Sequence, residues 1–238
     1  MSQIVEELRR ELIANSDEQL QKSSQHFFKE AIRCYGIKSA TVVNVDKEHF
    51  KAIKNLPKAV IFDLCNELWE SGIIEESFVA CHWSYAVCKK YTPDDLTIFE
   101  KWITSYVDNW ASCDTLCNHT VGEFVEMYPE TISVLKRWAT STNRWMKRAS
   151  AVSLIIPARH GLFLNDIFEI ADLLLMDSDD MVQKGYGWML KAASQAHEKE
   201  VFEYVMTKKA VMPRTALRYA IEKMSPELKT KAMAKIIK

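Results

Sequence analysis

Over most of this chain apolar residues recur three and four positions apart, the period of an α-helix with one face in a core. Ile4, Leu8, Leu12 and Ile13 mark a first helix, and the pattern over 20–32 predicts a second that Gly36 ends. Val60, Leu64, Leu68 and Trp69 line one side of a helix over 59–69, stopped by Gly72. Helices follow over 75–89 and 94–107, the latter opened by Thr-Pro-Asp-Asp at 92–95. A long run over 109–127 takes Asp108 or Asn109 as its N-cap. Beyond it the pattern predicts helices over 129–139, 143–156, 164–175, 180–196, 199–207, 213–223 and 226–237, separated only by short turns. The stretch 41–45 alone leans towards β, and its setting makes it a loop or a helix start.

The later helices repeat. Trp110 and Trp145 lie 35 positions apart, and Asp114 and Arg148 lie 34 apart. A period of this size in a helical chain belongs to stacked hairpins, each burying its apolar face against its neighbours. Period and helix-turn-helix character resemble HEAT-like repeats. The expected fold is therefore all-α, a curved solenoid of HEAT-like helical hairpin repeats (an α-α superhelix), forming a single domain over 1–238. In such a stack one helix of each pair lines the concave side, and neighbouring axes lie about 8–10 Å apart. Side chains in equivalent phase on successive inner helices can then share one ligand.

Composition agrees with a large helical core. Of 238 residues 48% are hydrophobic, with only six Gly and six Pro, so long disordered linkers are not expected. The absence of a long uncharged apolar run argues against a membrane span. The start, MSQIVEELRREL, reads as an amphipathic helix rather than a signal peptide. Six Cys lie inside apolar helical patterns and read as reduced thiols of a cytoplasmic protein. The net charge of −1, taken alone, argues against a polyanion partner. Its distribution does not: residues 1–120 carry a net −5 and residues 121–238 a net +4. The stretch 131–165 contains Lys136, Arg137, Arg144, Lys147, Arg148 and Arg159 and no acid. A local basic field binds phosphate even when the total is neutral. The same stretch also fits a solvated basic face.

Three segments carry candidate chemistry. Trp110 and Asp114 stand at i and i+4 and share a helix face, which Asn118 continues. The stripe of Cys113, Leu116, Cys117, Val121 and Phe124 puts Asp114 beside the core face rather than within it. Arg144 and Arg148 share a face next to a stripe of Trp145, Ala149, Val152 and Ile156. Lys184, Trp188 and Lys191 lie on one side of a third helix, with Tyr186, Met189 and Leu190 turned inward. Two readings stay open. A carboxylate, a guanidinium and several indoles could converge on a polyanion that carries a flat cationic lesion. Equally, Asp114 and Arg148 could be an inter-repeat ion pair among core tryptophans. Cys113, Cys117 and His119 do not place three ligands on one helix face, so no metal is expected. No Gly-rich phosphate loop occurs, and no cofactor is expected.

The segments Trp110-Ala-Ser-Cys-Asp114, Trp145-Met-Lys-Arg148 and Gln183-Lys184-Gly-Tyr-Gly187-Trp188 resemble, in order and spacing, those of the AlkD-like alkylpurine DNA glycosylases, HEAT-like-repeat proteins of DNA alkylation repair. A weaker likeness extends over residues 25–225, through Tyr35-Gly36-Ile37, Glu67-Leu68-Trp69 and the stretch 214–221. The resemblance implies hydrolysis of the N-glycosidic bond of a cationic alkylated purine, of the 3-methyladenine or 7-methylguanine type, in double-stranded DNA. It implies that Asp114 stabilises the oxocarbenium-like sugar and positions water, while Trp110 and Trp188 offer π faces. Arg148 would hold a phosphate, with Arg144, Lys147, Lys184, Lys191, Arg214 and Arg218 as further DNA contacts. It implies a monomer without cofactor or metal, cytoplasmic and nucleoid-associated when on DNA. The chain departs from the family pattern at Ala111, where a second Asp is frequent, and at Lys38-Ser39-Ala40-Thr41, where Pro and Arg are common. It departs again at Lys191-Ala192, where a basic-acidic pair is usual, and it is less basic than the family's glycosylases. A binder of damaged or branched DNA that excises nothing is the alternative, as is a HEAT-like protein-interaction scaffold.

Overall fold

Six helices of this chain begin at nearly equal intervals. They start at Ser39, Ile74, Trp110, Arg144, Asp180 and Arg214, spaced by 35, 36, 34, 36 and 34 residues. The computed structural model describes residues 2–235, and every regular element among them is helical. The chain forms two compact units, Met1–Leu116 and Cys117–Lys238.

The first unit contains α1 (Gln3–Ala14), α2 (Glu18–Ser24), α3 (Ser39–Ile53), α4 (Lys58–Glu70), α5 (Ile74–Ala86), α6 (Asp95–Ser105) and α7 (Trp110–Thr115). Three of the evenly spaced helices lie side by side here: α3 packs on α5, and α5 on α7. Helix α4 closes a hairpin with α5, and α1 covers α3 and α4. The outer layer is held by aromatic side chains. Phe62, Phe99 and Trp102 meet pairwise at centroid distances of 5.6–5.9 Å, and Trp102 is fully buried. Each such side chain contributes about 1.5–3 kcal/mol by leaving water.

The second unit contains α8 (Gly122–Met127), α9 (Ile132–Ala139), α10 (Arg144–Val152), α11 (Ile155–Arg159), α12 (Leu164–Leu174), α13 (Asp180–Ala193), α14 (Glu198–Lys208), α15 (Arg214–Ala220) and α16 (Pro226–Met233). Again the evenly spaced helices are neighbours, α10 packing on α13 and α13 on α15. Helix α9 pairs with α10, and α12 with α13. Gly187 permits the closest approach. A Cβ there would stand 2.7 Å from Tyr219 Cβ and 2.9 Å from the Ala216 carbonyl oxygen on α15. The all-α class and the hairpin repeat are thus as the periodicity predicts.

Several boundaries differ, each for a physical reason. The helix expected over 20–32 ends at Ser24, followed by one 3₁₀ turn, Gln25–Phe27. Side chains replace the helical hydrogen bonds beyond it. Gln25 accepts from Ile32 N at 3.1 Å and donates to Glu30 O at 2.8 Å. The Glu75 carboxylate accepts from the amides of Tyr35, Gly36 and Ile37 at 3.0, 2.9 and 3.2 Å. Gly36 sits at φ +80°, where a Cβ would lie 2.3 Å from Asp17 O, so the chain passes α2 only as glycine. The β-leaning stretch 41–45 lies inside α3, because Val42 and Val45 fall on its buried face. The run over 109–127 is α7, a π-helical turn Leu116–Val121, and α8, so α-helical spacing does not carry from Asp114 to Asn118. The predicted helix over 143–156 is divided between α10 and α11. In the first helix Val5 is buried with Leu8 and Leu12, while Ile13 is exposed. The last helix ends at Met233 among the described residues, and the predicted end at 237 lies outside them.

Candidate functional site

The start of α7 is fixed before any ligand is considered. Asn109 caps it by accepting from Ser112 N at 2.9 Å. The Asn109 amide also donates to Ser112 Oγ at 3.1 Å, and Ser112 Oγ lies 2.7 Å from Ser77 Oγ on α5. Ser77 spends its only proton on Ile74 O at 2.7 Å, so Ser112 is the donor of the pair. A buried chain of hydrogen bonds, Asn109 to Ser112 to Ser77 to Ile74, therefore pins α7 onto α5.

Trp110 and Asp114 occupy the first and fifth positions of this helix, both half-buried. The indole is held from its other side. Its Nε1 donates to Phe27 O at 3.3 Å, and its ring stacks on Phe28 at 5.3 Å and 20°. A cavity of about 250 Å³ opens among Phe27, Phe28, Ile32, Phe78 and Trp110, and Phe27 is 75% exposed. These aromatic neighbours lie 82 and 83 positions from Trp110, and helical spacing gives no sign of them.

In the second unit Arg148 takes the fifth position of α10 and is only 5% exposed. Its Nη1 donates to Met181 O at 2.5 Å. Its aliphatic stem fits over Gly185, where a Cβ would come within 3.3 Å of Arg148 Cγ. Lys184 and Arg218 hold the same fifth position on α13 and α15. Trp188 lies one turn beyond Lys184, half-buried. Lys191 stands 5.9 Å from the Trp188 ring and 5.6 Å from the Tyr219 ring, a cation between two π faces. Arg214 and Arg218 are exposed on α15, and among the described residues neither has a carboxylate partner.

The acid-free stretch is not a row of unpaired cations. Lys136 reaches Asp166 and Glu169 at 2.7 and 2.6 Å. Arg144 reaches Asp179 at 2.8 Å while its guanidinium lies 4.9 Å from the Trp145 ring. Lys147 pairs with Asp177. Lys184 and Lys191 pair with Asp180 and Glu222 at 3.1 and 3.0 Å. The partners of Lys136, Arg144 and Lys147 stand on α12 and just ahead of α13, so the stretch without acids borrows them from the next hairpin, whereas Lys184 pairs within α13 itself. The Asp-Ser-Asp at 177–179 was the available signal, since Asp179 also caps α13 by accepting from Met181 N at 2.8 Å.

The model of the DNA alkylation repair enzyme family matches this chain over residues 8–224. The chain belongs to that family. No curated protein matches it. Among solved structures it is similar to a predicted DNA alkylation repair enzyme from Enterococcus faecalis, at a TM-score of 0.79 and 14% identity, over 89% of this chain and 98% of that one. The likeness shows a shared fold. Family membership makes this chain a DNA alkylation repair protein, and Trp110, Asp114, Arg148 and Trp188 all fall inside the matched span. Among the described residues no helix is long and apolar enough to cross a membrane.

Proposed function

We propose that this protein is a DNA glycosylase that hydrolyses the N-glycosidic bond of cationic alkylated purines in double-stranded DNA. The observation that carries this reading is the register of the evenly spaced helices. Their fifth positions hold Asp114 on α7, then Arg148, Lys184 and Arg218 on α10, α13 and α15. One carboxylate followed by three cations at equivalent positions suits a sugar becoming positive within a phosphate backbone.

Alkylation leaves the purine cationic and a good leaving group, and the sugar becomes oxocarbenium-like as the bond breaks. Asp114 stabilises that charge and orients the attacking water. At about 4 Å and an effective dielectric near 20 the attraction is about 4 kcal/mol. That corresponds to about 10³ in rate. Such a factor speeds release of a labile cationic base and is far too small for an intact nucleotide, so selectivity follows from the chemistry. Trp110 and Trp188 present π faces to the cationic sugar. The resemblance assigns the phosphate contact to Arg148, whose stem lies over Gly185.

The test is base release from methylated duplex DNA by the wild type beside Asp114→Asn. The variant should lose release and keep binding. Normal release by the variant would end this reading. A second reading is a non-catalytic binder of damaged DNA. It is favoured by Ala111 and by the carboxylates on Arg144, Lys147, Lys184 and Lys191, which leave fewer cations for catalytic clamping. It requires salt-sensitive binding without base release by the wild type.

A further inference from the structure

A second cavity, about 410 Å³, lies between α3 and α5, apart from the Trp110 cavity. Its walls are Val43, Phe50, Tyr85 and Ala86, with Trp83 fully buried behind them. Phe50 and Trp83 pack at a centroid distance of 6.4 Å, so the apolar wall is backed by the core. Three polar side chains, Asp46, Lys47 and His82, also line it.

The polar groups are ordered by burial. Asp46 is 5% exposed, and its Oδ2 accepts from His82 Nδ1–H at 2.8 Å. That bond fixes the ring and leaves Nε2 without a hydrogen bond among the described residues. His82 is half-exposed, so Nε2 is within reach of a bound molecule. Lys47 is exposed and has no carboxylate partner among the described residues. The cavity therefore combines aromatic and aliphatic walls with an exposed ammonium at its edge and an imidazole whose ring is held by Asp46. A cavity of this size holds a small organic molecule, and specificity in such sites comes from a few placed polar groups.

We propose that this cavity binds an aromatic carboxylate, its ring against Phe50 and Tyr85 and its carboxylate on Lys47 Nζ. The site is independent of DNA repair chemistry and uses none of the residues assigned to it. Calorimetric titration of the full chain with naphthoate tests it, with naphthalenemethanol as the uncharged match. Naphthoate should bind, and the alcohol should bind about tenfold more weakly or worse. Lys47→Glu, a surface change that turns attraction into repulsion, should weaken naphthoate about tenfold. Ala86→Trp, at an exposed position, should fill the cavity and abolish binding. No heat with naphthoate, equal binding of the alcohol, or unchanged affinity in either variant would overturn the proposal. Base release from methylated DNA by Lys47→Glu should equal that of the wild type, so failure here and failure of the glycosylase reading are separate results.

Discussion

Two glycines of α13, two positions apart, should respond oppositely to alanine. Gly187 faces α15. A Cβ there meets Tyr219 Cβ at 2.7 Å, Ala216 O at 2.9 Å and Ala216 Cα at 3.1 Å. Two of these are backbone atoms, so no side-chain rotation relieves them. Carbon contacts settle near 3.5–4.0 Å, so α15 must retreat by about 1 Å. Overpacking of a well-packed core costs about 1–3 kcal/mol, and contacts this short against backbone put this site in the upper part, about 2–3 kcal/mol. The gain in helix propensity from Gly to Ala offsets about 1 kcal/mol of that. Gly187→Ala should therefore lose about 1–2 kcal/mol, a fall in Tm of about 2–4 °C per kcal/mol for a chain of this size. Gly185 faces Arg148 instead, with nearest approaches of 3.3 Å to Cγ and 3.7 Å to Nη1. A side chain can yield there, so Gly185→Ala should keep or raise Tm while displacing the Arg148 guanidinium. The assay is thermal unfolding of both variants beside the wild type, followed by DNA binding and base release. Gly185→Ala should be folded yet impaired on DNA. A Gly187→Ala protein as stable as the wild type would refute the packing reasoning. A Gly185→Ala protein with full DNA function would show that the placement of Arg148 does not matter.

Asp179→Asn keeps a side chain that caps α13 but removes a negative charge paired with Arg144. Duplex DNA binding at low salt should tighten about two- to fivefold, the worth of one half-exposed ion pair, and an unchanged salt titration would count against Arg144 as a DNA contact. Glu76 is fully buried and accepts from Arg9 and, at 2.6 Å, from the Tyr35 hydroxyl. Glu76→Gln breaks that pair and should cost about 3 kcal/mol in urea unfolding, the low end for a buried pair because Arg9 is partly exposed. Burial pushes the Cys65 and Cys81 thiols above their ordinary 9.0, and burial with the Glu76 hydrogen bond pushes Tyr35 above its ordinary 10.0. The folded state thus keeps protons that the unfolded chain releases, so stability is full below about pH 9 and falls as pH rises past it, which unfolding from pH 7 to 10.5 will measure. In the same range thiol reagents should reach half-exposed Cys88 while Cys65 and Cys81 react only on unfolding.

The part of the site that was legible in sequence is the part made by neighbours along the chain. Asn109, Asn143 and Asp179 cap α7, α10 and α13, and each cap contacts amides two or three residues on. Those caps set where Trp110, Asp114, Arg148 and Trp188 fall on their helices, so the 34–36-residue register is written in the order of residues itself. The missed parts depend on residues far apart. The segment 35–37, beyond the shortened second helix, is placed by the buried carboxylate of Glu75, nearly 40 positions away, which binds its amides. Trp110 has the spacing of a helix-face indole and is instead clamped by Phe27 and Phe28.

Sequence alone determined that this is an all-helical chain of repeated hairpins, with Asp114 and Arg148 one repeat apart and cations on the later helices. It did so because helical period and N-caps are local, written within four residues of each position. Tertiary structure decided which of those cations are already paired, where backbone departs from the helix, and where the cavities beside Trp110 and Phe50 open. Those outcomes depend on which side chain of one hairpin meets which of the next. The separations are about one repeat for Arg144 with Asp179 and for Asp46 with His82. Such pairings exist only once the hairpins have stacked.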